Sequence, residues 1–175
     1  MTEQALPIRH VFDLGDLSQA GSQVVVAARG DELAELARWA NVEAVRSFSA
    51  AVELRRVSPN RFAFEAELNA DIVQSCVVTL EPVPTHIARH MERELHYVRR
   101  PHADGGELTL AAGDDEAPEE IISLDYDLAA PLLEEFVLAI DPYPRKEGGA
   151  FEPPKEQAEP PESPFAVLKS LKQGG

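Results

Sequence analysis

Two runs of strict alternation dominate the hydrophobic pattern of the chain. Phe48, Ala50, Val52 and Leu54 alternate with Ser47, Ser49, Ala51 and Glu53. After Ser58-Pro59-Asn60, Phe62, Phe64, Ala66 and Leu68 alternate with Ala63, Glu65, Glu67 and Asn69. Side chains of a strand point to opposite faces with period two. The runs therefore predict an antiparallel hairpin with one buried face, turning at Pro-Asn. The second strand is expected to continue through Ile72 towards Cys76, Val78 and Leu80. Glu81-Pro82-Val83-Pro84 should then break it, because proline has no N–H for the ladder. Residues 85–100 fit two patterns. Ile87, Met91 and Leu95 fall at helical spacing, and with Tyr97 they also share one face of a strand. A strand completes a meander and is the expected form.

Before the hairpin, residues 8–14 and the β-branched run 24–28 predict strands. Residues 31–40 predict a helix capped by Gly30 or Asp31. Leu33, Leu36, Ala37 and Ala40 form its apolar face, and Glu35 can pair with Arg38 at i,i+3. After residue 122 a short strand leads into a second helix. Its stripe is Leu128, Leu132, Phe136, Ala139 and Ile140, widened by Leu133 and Val137. Asp127 can cap its start, Pro131 is tolerated only near the first turn, and Asp141-Pro142 ends it. The expected fold is α+β: a mainly antiparallel sheet or partly closed barrel with a few helices. One domain should cover residues 1–146.

Acidic and proline-rich zones frame that domain. Residues 103–120 hold seven carboxylates and no lysine or arginine, and they read as a long surface loop. Residues 147–164 hold Gly148-Gly149, Pro153-Pro154 and Pro160-Pro161, the composition of a linker. The tail, 165–175, predicts a short amphipathic helix on Phe165, Leu168 and Leu171. Alone, a helix of that length is marginal, so it should dock or fray.

The chain has 175 residues and a formal net charge of −15. That charge opposes nucleic-acid binding by the surface as a whole and favours basic partners. No apolar run approaches the ~20 residues that span a bilayer, and the N-terminus has no secretory pattern. A soluble cytoplasmic protein without a membrane partner is expected. Cys76 is the sole cysteine, so neither an internal disulfide nor a cysteine zinc site is available.

Candidate chemistry is sparse. His86, His90 and His96 share a strand face with Glu92 and Glu94, and a solvated outer face explains them more simply than a metal. No His-Glu-x-x-His, Gly-x-Ser-x-Gly or phosphate-binding glycine loop occurs. Adjacent Glu134 and Glu135 do not face each other on a helix. No catalytic residue, metal or cofactor is expected. Arg89, Arg93, Arg99 and Arg100, with Tyr97 interleaved, are candidate RNA contacts; alternatively they pair with Glu92, Glu94 or the acidic loop. Pro142, Tyr143, Arg145 and Lys146 form a rigid cationic corner where a partner could dock.

The order of these features resembles the YceD family, the large ribosomal RNA subunit accumulation proteins. The carriers are the 72–82 segment around Cys76, Glu134-Glu135-Phe136-Val137-Leu138-Ala139-Ile140-Asp141-Pro142, and the tail Pro164-Phe165-Ala166-Val167-Leu168-Lys169-Ser170-Leu171-Lys172. The resemblance implies a non-enzymatic factor acting on the large ribosomal subunit precursor, through ribosomal RNA or a basic ribosomal protein. In the second case the acidic loop and the tail, with Phe165 and Leu168, would make the contacts. Many members carry Cys-x-x-Cys where this chain has Cys76-Val77-Val78-Thr79, so a metal or redox role does not transfer.

Overall fold

The computed structural model describes residues 6–99, 118–146 and 148. The proposed acidic loop (up to residue 117), nearly all of the linker, the tail with Phe165 and Leu168, and Arg100 lie outside the described residues.

The alternating runs form the long hairpin β3 (Ala44–Ser58) and β4 (Arg61–Ser75), with Pro59 and Asn60 at the turn. The eight apolar positions read from the alternation are all at most 2 % exposed. β2 (Ser22–Ala27) pairs with β3 on one side, and β5 (Pro82–Tyr97) pairs with β4 on the other. These pairings are antiparallel. β6 (Glu119–Ile121) adds to the far edge in parallel, against Leu95–Tyr97. The order β2-β3-β4-β5-β6 leaves β2 and β6 as edges, so among the described residues the sheet stays open and forms no closed barrel.

A small second sheet pairs β1 (Val11–Asp13) with β7 (Asp125–Asp127). The first strand is shorter than the pattern predicts. The Asp13 carboxylate accepts the Gly15 N–H at 2.7 Å and turns the chain into a 3₁₀ turn, Leu14–Asp16.

Helix α1 (Asp31–Trp39) starts at Gly30, whose φ of 53° suits glycine, and it buries Leu36 and Ala37. The Glu35–Arg38 pair forms at 3.9 Å. Helix α2 (Ala129–Ala139) is fastened by Asp127, whose Oδ1 accepts from the N–H groups of Ala129 and His10. Pro131 falls in the first turn. Leu128, Leu132, Leu133 and Phe136 are fully buried, and Phe136 meets Phe48 edge-on at 5.3 Å between ring centres. Val137 faces solvent instead of widening the stripe.

Two boundaries differ from expectation at the β4–β5 connection. β4 stops at Ser75, and Cys76 to Thr79 form a turn closed by Leu80 N–H to Cys76 C=O at 2.9 Å, with Leu80 at φ 60°. The Pro82-Val83-Pro84 segment starts β5 instead of only breaking β4. β6 covers β5 only at Leu95–Tyr97, so the proline end is an edge, where a missing N–H is tolerated. Likewise Glu119 and Glu120 belong to β6, not to the preceding loop.

Candidate functional site

The turn after β4 and the proline corner after α2 form one unit. Val77 N–H donates to Pro144 C=O at 3.0 Å, and Gln74 Nε2 donates to Asp141 C=O at 2.8 Å. The Asp141 carboxylate accepts the Tyr143 N–H, which folds the corner, and Pro144 is buried. Lys146 Nζ reaches Glu81 at 3.1 Å and holds the Glu81 carboxyl below its ordinary range.

Cys76 sits at the centre of this unit, fully buried. Its sulfur accepts the N–H groups of Val78, Thr79 and Lys146, each at 3.5 Å. The Thr79 hydroxyl first, then these backbone donors, pull the thiol down to about 6, against the opposing effect of burial. The Thr79 hydroxyl and N–H both serve the single sulfur. Around the buried sulfur the surface mixes apolar groups, two cations and the carboxylates of Glu81 and Asp141. Leu80 is 79 % and Tyr143 70 % exposed, and Val77, Pro142, Arg145 and Lys146 also face solvent.

Alternation along β5 separates the arginines from the histidines. His86, His90, Glu92, Glu94 and His96 take the outer face of the sheet. Arg89 and Arg93 take the other face, beside α2. Arg93 bonds Glu134 at 2.8 Å and Glu119 at 3.3 Å, and Arg89 lies 3.6 Å from Glu135. Burial disfavours the Arg93 charge, but the bonds to Glu134 and Glu119 outweigh it and raise its pKa. Tyr126, buried against Glu119, is pushed up as a phenol. The partners come from α2 and β6 rather than from Glu92 or Glu94.

On the outer face, His86 meets Asp71 at 2.8 Å, and His90 lies between Glu67 at 2.9 Å and Glu92 at 3.1 Å. Bonds to Glu92 and then Glu67 raise the His90 pKa. Glu65, His90 and Glu92 place ligand atoms within 4.8 Å of one another, the residues here that could hold a metal. Two of the three are the outer-face His90 and Glu92; the third, Glu65, comes from the neighbouring strand.

Arg99 stands apart from Arg89 and Arg93. It follows β5 and lines a cleft with Arg56, Asn60, His96 and Tyr97. Arg56 and Asn60 carried no functional signal in the sequence, because they lie about forty residues from Arg99 and meet it only through the β3–β4–β5 register.

The profile of the large ribosomal RNA subunit accumulation protein YceD matches residues 64–172, more than half of the chain. The chain belongs to the YceD family. The match runs from β4 through the Cys76 turn and α2 into the tail, so that turn and its proline corner fall within the shared region. No curated protein and no solved structure matches this YceD chain significantly. Among the described residues, no helix is long and apolar enough to cross a membrane.

Proposed function

We propose that this YceD protein is a non-enzymatic ribosome-biogenesis factor. It supports accumulation or processing of large-subunit ribosomal RNA in the cytoplasm, with precursor RNA as its direct ligand. The family match over residues 64–172 carries the reading. Consistent with it, most of the gathered ionisable groups are engaged in structural pairs and caps: Arg93 with α2, Lys146 with Glu81, Asp127 with the start of α2. The exposed corner Pro142, Tyr143, Arg145 and Lys146 is the proposed docking element, with Phe165 and Leu168 of the tail as further partner contacts. Depleting the protein should lower the ratio of large- to small-subunit ribosomal RNA; an unchanged ratio refutes the reading.

One observation favours a second reading, an acidic module that shields a basic ribosomal protein. Glu53, Glu65 and Glu92 lie directly opposite one another across β3, β4 and β5. Like charges in register are unfavourable, and a cationic segment laid across the row would relieve them. Affinity capture with and without nuclease separates the readings: a partner that survives nuclease and is a basic protein supports shielding.

A further inference from the structure

We propose that the open cleft at the turn end of the sheet binds single-stranded RNA, with Arg56 and Arg99 on phosphates and Tyr97 available to stack a base. The choice of RNA among anions rests on the ribosomal reading; the anionic character of the ligand rests on the cleft itself.

The cleft has a volume of about 700 Å³ and forms where distant segments converge: Gly15, Arg56 of β3, the Pro59-Asn60 turn, the end of β5 and Leu124. Its size lies within the ~300–1,000 Å³ typical of ligand pockets. The decisive feature is charge. In a chain of net charge −15, this cleft is lined by two arginines and a histidine and, among the described residues, by no carboxylate. Most described cations are neutralised by ion pairs. Arg29, Arg46, Arg56, Arg99 and Arg145 have no carboxylate partner among the described residues, and two of them meet in this cleft. Glu120 stands opposite His96 in the β5–β6 register, yet it does not line the cleft.

Arg56 is also held in place. Its Nη2 donates to the carbonyls of Leu14 and Gly15, both at 3.0 Å, and its guanidinium lies 5.5 Å from the Phe62 ring centre. Carbonyls and a ring face orient the group without cancelling its charge, which leaves it available to a phosphate. The opposite wall is equally fixed: Tyr97 N–H donates to Asn60 C=O at 2.8 Å, and Val98 N–H to Ile121 C=O at 2.9 Å. Asn60 Nδ2 lies 2.9 Å from His96 Nε2. Pre-positioned cations beside an aromatic ring are what a flexible strand of phosphates and bases requires.

The test is fluorescence anisotropy of the full chain with a short labelled single-stranded RNA of mixed sequence, titrated at several salt concentrations. Arg99→Glu is expected to weaken binding about tenfold or more and to reduce the salt slope by about 0.7 for the lost phosphate contact. Tyr97→Ala should cost roughly 5- to 150-fold through the lost base stack. Arg38→Gln, which removes the exposed ion pair within α1, should bind like wild type. Arg99 is exposed and outside any strand, so its variant should melt like wild type and keep the comparison interpretable. RNA that fails to bind at every salt concentration in the titration, or that binds the cleft variants as well as wild type, overturns the proposal. A polyglutamate peptide that competes as well as RNA overturns the choice of ligand. Finally, depletion that lowers the large-subunit RNA ratio but is fully rescued by the Arg99→Glu chain overturns the cleft alone and leaves the ribosomal reading standing.

Discussion

At the scale of single residues, Cys76 has the most unusual environment. A buried thiol ordinarily resists ionisation, yet here three backbone N–H groups and the Thr79 hydroxyl converge on the sulfur. The thiolate is therefore expected at neutral pH, and absorbance near the thiolate band should titrate with a midpoint of about 6. Thr79→Val removes one donor and should move that midpoint upward. Linkage gives a second consequence. Because the folded pKa lies below the ordinary value of 9.0, the stabilisation is fully present above pH 9 and is lost as pH falls through about 6. Between those limits, wild type should gain stability with rising pH relative to Cys76→Ala. Parallel melting curves for the two proteins across that window would contradict this account.

At the scale of elements, α2 is the piece whose packing and electrostatics can be separated. Its buried face meets the sheet through Phe136, against Phe48, and truncation to Ala should cost about 3–5 kcal/mol in denaturant unfolding. Its exposed face is tied to β5 by Arg93 and Arg89. Because Glu134 is largely exposed, Arg93→Gln should cost only about 0.2–1 kcal/mol. A larger loss would show that Arg93 acts through its partly buried contact with Glu119. Much of this was legible in the chain. Period-two alternation is a local property, so it specified both hairpin faces and the shared face of the histidines with Glu92 and Glu94 on β5, although the arginines were expected to pair with those same glutamates. The helical stripe of α2 was legible for the same reason. The partners of Arg93 were not, because Glu134 lies 41 residues away and only tertiary packing brings it near. Nor was β6, whose three residues are too few to show a period and whose parallel pairing needs a long crossover. The turn at Cys76 was misread as strand because Val77, Val78 and Leu80 are β-prone in isolation, whereas the convergence of N–H groups on one sulfur appears only in three dimensions.

At the scale of the whole molecule, a net charge of −15 sets how the chain would meet RNA or a basic protein. Long-range repulsion should hold RNA away at low ionic strength, while local cations attract it once it is within a Debye length of about 8–10 Å. These effects oppose each other, and salt weakens both. The net dependence therefore reports which ligand is direct. If RNA binds through two phosphates, affinity should fall with salt at a logarithmic slope of about −1.4, shallower if repulsion by the rest of the surface is being screened at the same time. If the acidic sheet face holds a basic protein instead, affinity for that protein should fall with salt, and Glu65→Gln with Glu92→Gln should weaken it while leaving RNA binding unchanged. The same pair of substitutions addresses metal. Glu65, His90 and Glu92 are already engaged by Arg55, Glu67 and each other, so elemental analysis of purified protein should find no stoichiometric ion. A full equivalent of metal, lost in the double variant, would instead show that the carboxylate row is an ion site and that its charge is already neutralised before any basic partner arrives.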